Sequence, residues 1–151
     1  MGQNSTDYLI VLNCDDHADK HNVDRERALV WHAFSQLFLD CNWSDEELSC
    51  IGDQISKTRF SLQELSFILT DEVWPVCAAN KLMLFGGEGA LGFEIDWLIR
   101  QCSDRHKKNS YRLPSDSNLN DLPWTLHIKA PLFFESYLML CRVKRIRSAS
   151  S

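Results

Sequence analysis

Two capping boxes constrain the fold of this chain more than any other feature of its sequence. Ser44 stands three residues before Glu47, and Ser61 stands three residues before Glu64. In this arrangement the serine hydroxyl and the glutamate carboxylate each accept a hydrogen bond from a free backbone N–H at a helix start. The apolar residues that follow recur at three- and four-residue steps: Leu48, Ile51 and Ile55, then Leu62, Leu65, Ile68 and Leu69. The sequence therefore predicts a helix from Ser44 to about Ser56 and another that begins at Ser61.

Two further helices flank this pair. The segment from Asp24 to Asp40 repeats apolar residues at helical steps, with acidic residues at its start: Ala28, Trp31, Phe34, Leu37 and Phe38. A fourth helix runs from Phe93 to about Arg105, after a glycine-rich turn at 86–92. Pro75 cannot donate a backbone hydrogen bond. The helix that begins at Ser61 therefore either ends near Val73 or bends into a short continuation, and we expect an end or a sharp bend.

The C-terminal third is less regular. Residues 106–123 are polar and contain Pro114, which predicts a loop or linker. Residues 124–145 form an extension that packs on the core, with a helix over 131–144. Leu126 and Ile128 alternate as in a strand, so a two-stranded pairing of 8–12 with 125–129 stays open. We expect residues 146–151 to be frayed.

The expected fold class is thus mainly α: a compact bundle of about four to five helices, with that small β element as the open alternative. The length of 151 residues suits one domain over 1–151, built on a helical core at 24–105. A hydrophobic content of 44% and a charged content of 25% are typical of globular proteins.

The charges are divided unevenly along the chain. Residues 1–104 contain 18 acidic and 7 basic residues, whereas residues 105–151 contain 3 acidic and 9 basic residues. An acidic body disfavours nucleic-acid binding and favours a partner with a basic surface. The basic end either neutralises the body or meets an acidic ligand, and neutralisation is the simpler interpretation.

The sequence also indicates the cellular compartment in which we expect the protein. The N-terminus has neither the basic start nor the apolar stretch of a secretory signal, and no stretch approaches the ~18 apolar residues of a membrane span. We expect a cytoplasmic protein that does not bind membranes. The six cysteines are scattered singly, which is typical of reduced thiols in such a compartment.

Few residue patterns suggest chemistry. Cys14, His17 and His21 offer metal-ligand types, but their spacing matches no strong motif and a polar turn is the simpler interpretation. The 86–89 loop lacks the Lys-Ser/Thr ending of a phosphate-binding loop and contains Glu88. No nucleophile-elbow pattern occurs. The sequence therefore predicts no catalytic residues, no metal and no cofactor, and a protein that is not an enzyme.

A protein partner fits the sequence better. Trp43 stands two residues before an acidic run at the start of a predicted helix, where an aromatic side chain and several carboxylates can contact a basic surface. The predicted partner-binding residues are the following: Trp43, Asp45, Glu46, Glu47, Asp71, Glu72 and Glu88.

Three segments resemble a family of small uncharacterised bacterial helical proteins. These segments read VWHAFSQLFLD from Val30 to Asp40, EVWPV from Glu72 to Val76 and GFEIDWL from Gly92 to Leu98. The family pattern is VWxALSxLFLD, EVxPV and GFDxDWL, with Glu94 here in place of the first aspartate. The resemblance covers residues 27–100 and implies a helical fold without an assigned activity.

We therefore expect an immunity or inhibitor protein that neutralises a bacterial toxin or effector by direct binding. The alternatives are another adaptor or regulator that binds proteins, and an unrecognised enzyme or metal-binding protein. The leading hypothesis rests on the general character of the chain and not on a recognised site.

Overall fold

The computed structural model describes residues 14–39, 42–82, 93–109, 121–129, 131 and 134–151, with the backbone alone at 79–82. Residues 14–20 are helical and precede the helices that are numbered here. These helices are α1 (Arg25–Gln36), α2 (Asp45–Ser56), α3 (Leu62–Phe67), α4 (Trp74–Leu82), α5 (Ile95–Lys108), α6 (Trp124–Lys129) and α7 (Phe134–Ala149), with a π-helical segment at Ile68–Val73 between α3 and α4.

The predicted helix starts are confirmed by their caps. The side chain of Asp24 accepts a hydrogen bond from the Arg27 N–H at the start of α1. Both capping boxes form, with reciprocal serine and glutamate bonds at the starts of α2 and α3. Each box satisfies backbone donors that the first turn leaves free, so the local sequence fixes where these helices begin.

Of the two alternatives for the helix that starts at Ser61, an end near Val73 is wrong and a continuation past Pro75 is observed. The helix passes through the π-helical segment, in which the Trp74 N–H bonds to the Leu69 carbonyl five residues earlier, and it continues as α4. Pro75 has no N–H to give to the Asp71 carbonyl four residues before it. The side-chain amide of Asn109 donates to that carbonyl over 2.7 Å. A local change of register and one side chain from α5 thus accommodate the proline.

The core is a single cluster of buried apolar side chains to which α1, the π-helical segment and α5 contribute most directly. Its large members are fully buried: Trp31, Phe34, Leu65, Ile68, Leu69, Leu98 and Ile99. The amphipathic patterns of these helices predicted this face.

The helix α7 packs along α2. A Cβ atom on Gly52 would lie 3.1 Å from the Arg142 side chain, so glycine permits the close approach. Near the end of α7, the Arg147 guanidinium donates to the carbonyls of Ser56, Thr58 and Phe60. These carbonyls lie at and just beyond the C-terminal end of α2, where a cation is favoured.

Three expectations about the C-terminal third need correction, and one part of them is not tested. Residues 125–129 lie in α6 instead of a strand, because Leu126 is buried whereas Ile128 is 68% exposed, so the two side chains do not share one face. The proposed partner strand at 8–12 lies outside the described residues, which include no strand. The helix α5 extends to Lys108, into the predicted loop, where its basic last turn complements the helix dipole. The helix α7 continues to Ala149, into the predicted frayed tail, where Arg147 anchors it to α2.

The helices are also more numerous in the described part of the chain than the four to five that we expected. The additional ones come from the π-helical interruption, from the short α6 and from residues 14–20, where the polar turn that we expected is wrong because Cys14 and Ala18 are buried on one face of a helix. The mainly helical fold class is confirmed.

Candidate functional site

The predicted partner-binding residues do not form one surface. Trp43 is half-buried, and Asp45, Glu46 and Glu47 are exposed together in the first turn of α2. We call these three acids the acidic turn. The Asp45 side chain is 99% exposed. These four residues remain available to a partner.

A cleft lies beside the acidic turn, between α2 and α7. It has a volume of about 400 Å³ and mixes apolar and charged walls. Its lining residues are contributed by the end of α1, the loop before α2, α2 itself and α7: Leu37, Asn42, Trp43, Leu48, Glu135, Leu138, Met139, Cys141, Arg142 and Arg145. Trp43 and Leu48 flank the acidic turn in the chain, and Asp45 lies 4.0 Å from Arg142 of the cleft lining, so the start of this turn borders the cleft. We refer to it as the α2–α7 cleft.

The indole N–H of Trp43 is an unusual feature of this cleft. The nitrogen is closed to solvent, and nothing in the described part of the structure accepts a hydrogen bond from it. Buried tryptophan N–H groups usually find a partner, and leaving one unpaired costs about 1–3 kcal/mol. The wall of the cleft therefore contains a donor whose bonding the free protein does not satisfy.

Exposed apolar side chains continue from the cleft along the C-terminal helices. Phe134 and Leu138 are 59% and 47% exposed and lie one turn apart on α7, and Trp124 and Ile128 are 71% and 68% exposed and lie one turn apart on α6. A hydrogen bond of 2.7 Å between His127 and Tyr137 connects the two helices. Large exposed apolar groups in such number are typical of interaction surfaces.

Glu72 needs a correction, because it is fully buried and cannot contact a partner. Arg27 donates to both of its oxygens, over 3.1 and 2.9 Å, and the Trp31 indole N–H donates over 2.6 Å. The Nδ1 atom of His106 lies 2.8 Å from the same carboxylate and must carry the proton, since a carboxylate only accepts. Burial of a carboxylate requires such a partner set.

The Glu72 cluster joins α1, the π-helical segment and α5, and sequence reasoning missed it. A signal was present: Glu72 falls on the apolar stripe of its helix, three residues after the buried Leu69. Arg27 and Trp31 lie one turn apart on one face of α1. Of the other predicted residues, Asp71 is half-buried and accepts from the Thr70 hydroxyl over 3.1 Å, and Glu88 lies outside the described residues.

A second polar cluster involves two of the three weak metal candidates. His17, Lys20 and His21 all reach the same oxygen of Asp96, at 3.2, 2.7 and 2.9 Å. Hydrogen bonds from Lys20, His21 and His17 lower the pKa of Asp96. These contacts attach the helical residues 14–20 to the first turn of α5.

Cys14 does not join the two histidines as a ligand. Its side chain is 1% exposed, and burial, with Asp15 nearby, raises the pKa of the thiol to about 12. Within the described ranges, no group of three histidine, cysteine, aspartate or glutamate side chains is arranged to hold a metal ion. His17 and His21 instead both contact an oxygen of Asp96 that also accepts a hydrogen bond from Lys20.

The remaining buried nucleophiles and bases are poorly suited to reaction. Burial raises the pKa of the Cys77 thiol to about 12 and also raises that of Cys102. Burial lowers the pKa of the His32 imidazole to about 4. Near neutral pH these thiols stay protonated, and His32 stays neutral.

None of the helices in the described segments has both the length and the apolar character that a bilayer crossing requires.

Comparison with known proteins gives one family and no function. No curated protein and no solved structure matches the chain. A family model described as a domain of unknown function, DUF7079, matches residues 25–127, which include the whole region of the resemblance noted from the sequence. With more than half of its length matched, and with its helical core inside the match, the chain belongs to this uncharacterised family.

Proposed function

We propose that this protein binds another protein through the acidic turn and the neighbouring α2–α7 cleft, and that it acts as an immunity or inhibitor protein toward a bacterial toxin or effector. The observation that carries the proposal is the position of the acidic turn beside a half-buried tryptophan and a cleft whose walls are partly apolar and partly charged. Aromatic anchors in pockets, surrounded by polar residues, supply much of the binding energy at protein interfaces.

The charges favour a partner with a basic surface. Asp45, Glu46 and Glu47 project from the first turn of α2. Exposed charges of one sign accelerate association with a partner of opposite sign, and salt screens this attraction over about 8 Å at physiological ionic strength. A partner recruited in this way binds faster at low salt.

The basic C-terminal end contributes little that opposes this proposal. Arg147 is engaged with backbone carbonyls, Arg142 donates to Ser49 over 2.9 Å, and Lys144 donates to Asp121 over 2.7 Å. These three cations have partners within the protein and are therefore less available to phosphates.

A pull-down from the native bacterium tests the proposal. The bait is the tagged chain, compared with a variant carrying Asp45→Lys and Glu46→Lys; Glu47 is retained because it caps α2. The matched control is Asp53→Lys, an exposed acid near the other end of the same helix. We expect a partner enriched at low salt with wild type and with the control, and depleted about tenfold or more with the double variant.

The inhibitor role is tested with the captured partner. If the partner is a toxin, co-expression of this chain should restore growth, and the double lysine variant should not. Binding that is equal for wild type and the double variant at both salt concentrations would contradict the proposed surface. Full toxicity in the presence of bound wild-type protein would leave the adaptor or regulator alternative.

A further inference from the structure

The α2–α7 cleft has a preformed apolar floor. Leu37 and Met139 are 1% and 2% exposed beneath it, and Leu138 is 47% exposed at its side. The volume of about 400 Å³ suits a few side chains. Because Leu138 gains most from being covered, an aliphatic side chain is the natural occupant of this floor.

The charges around the cleft indicate which kind of residue should follow the aliphatic side chain in the partner. The walls contain Arg142, Arg145 and Glu135, and the acidic turn adds Asp45, Glu46 and Glu47 at the border. Arg142 already donates to Ser49 and lies 4.0 Å from Asp45. The walls of the cleft thus contain two arginines and one glutamate, so a cation that follows the apolar side chain is complemented at the exposed acidic turn and not inside the cleft.

The Trp43 indole supplies a third recognition element. Among the residues that the structure describes, none accepts a hydrogen bond from its N–H, and the nitrogen is closed to solvent. A rotation of the ring that brings the N–H to an acceptor on a partner would make a hydrogen bond that the free protein lacks. Main-chain carbonyls accompany every inserted side chain and are suitable acceptors.

We infer that the α2–α7 cleft binds a partner segment in which an aliphatic side chain is followed directly by lysine or arginine, and that Trp43 turns its indole N–H onto a main-chain carbonyl of this segment. The aliphatic group covers Leu138, and the cation faces the acidic turn. This inference rests on the proposed function and specifies what the partner inserts.

Short peptides test the inference without the natural partner. The probes are acetyl-Leu-Lys-Lys-amide, acetyl-Ser-Lys-Lys-amide and acetyl-Leu-Glu-Glu-amide, added to the full ¹⁵N-labelled chain. The readout is the indole N–H resonance of Trp43, assigned with Trp43→Phe. We expect a saturable shift with the first peptide and at least about tenfold weaker binding of the other two. The indole resonance of Trp124, which lies outside the cleft lining, is the internal control.

Two matched variants distinguish specific binding in the cleft from nonspecific hydrophobic binding. Leu138→Gln alters the cleft, whereas Phe134→Gln alters an exposed apolar residue one turn away that does not line it. The first should abolish the shift and the second should preserve it. An unmoved Trp43 resonance, or equal affinity for all three peptides, would overturn the inference.

The inference and the proposed function can fail separately. One outcome is that the partner from the pull-down binds the Leu138→Gln variant as tightly as wild type and fails to bind the double lysine variant. In that case only the inference about the cleft is wrong. If the double lysine variant also binds unchanged, the proposed function is wrong.

Discussion

Glu72 connects three elements of the fold through one fully buried carboxylate. This carboxylate binds Arg27 and Trp31 of α1 and His106 of α5, whose side chain is 43% exposed. Replacement of an entire buried ion pair by apolar residues can be neutral, but removal of one partner leaves an uncompensated charge. The cluster is therefore sensitive to single substitutions.

Glu72→Gln should destabilise the protein strongly. The substitution keeps the shape but removes the charge opposite Arg27, whose side chain is only 14% exposed. Loss of one partner of a buried ion pair costs about 3–5 kcal/mol. Urea-induced unfolding at pH 7 measures this change in the free energy of unfolding.

Glu46→Gln is the control for Glu72→Gln, since it removes the same charge from an exposed site on α2. It should change the free energy of unfolding by less than about 0.5 kcal/mol. Equal effects of the two substitutions would show that the Glu72 cluster does not contribute to stability as argued.

The difficulty of predicting Glu72 lies in the distance between its partners along the chain. An isolated acidic residue in a sequence usually indicates an exposed side chain, and we therefore predicted that Glu72 contacts a partner. Its donors Arg27 and Trp31 are 45 and 41 residues away. Only the packing of α1 against the π-helical segment brings them together, and no local spacing encodes that contact.

At the scale of the elements, Pro75 and Asn109 form a coupled pair. Asn109→Ala should remove the side-chain donor to the Asp71 carbonyl and cost about 1–2 kcal/mol. In a Pro75→Ala background, residue 75 regains an N–H that can bond to the same carbonyl. The cost of Asn109→Ala should then shrink.

A double-mutant cycle of urea unfolding curves measures this coupling between the two positions. We expect an interaction free energy of at least about 0.5 kcal/mol. Additivity within about 0.3 kcal/mol would mean that the amide of Asn109 does not replace the missing N–H. The cycle is informative even if both single variants are destabilised.

The elements differ in how far the sequence predicted them. The starts of α1, α2 and α3 depend on caps within three residues, and all three were predicted. In α6, Leu126 and Ile128 offered an alternating pattern too short to separate strand from helix. The π-helical segment depends on Asn109, which approaches from another helix. Local sequence patterns therefore predicted only those features that hydrogen bonds between near neighbours in the chain determine, such as the helix starts.

For the molecule as a whole, the candidate site was predicted in part. Trp43 and the acidic turn are neighbours in the chain and share one exposed surface. The cleft itself requires α7, whose packing on α2 depends on the close approach at Gly52. This tertiary contact adds the apolar floor and the arginines, which lie about 100 residues away in the sequence.

Asp96 links residues 14–20, which precede the region matched by the family model, to α5 within that region. Because hydrogen bonds from Lys20, His21 and His17 hold the pKa of Asp96 below its ordinary value in the folded chain, the ionised form stabilises this attachment. A depressed pKa contributes stability that is present above the unfolded pKa of about 3.9 and is lost as the pH falls below it.

Asp96→Asn should therefore accelerate hydrogen exchange of the backbone amides at 14–20 at pH 6, after correction for intrinsic rates, while leaving the amides of α1 protected. Wild type should keep this protection at pH 6 and lose it progressively once the pH falls below about 4, toward the lowered pKa of Asp96. Asp104→Asn, an exposed acid on α5, should behave like wild type at both pH values. If Asp96→Asn exchanges like wild type at pH 6, apolar burial of Cys14 and Ala18 is sufficient to hold this segment, and the charges around Asp96 are dispensable.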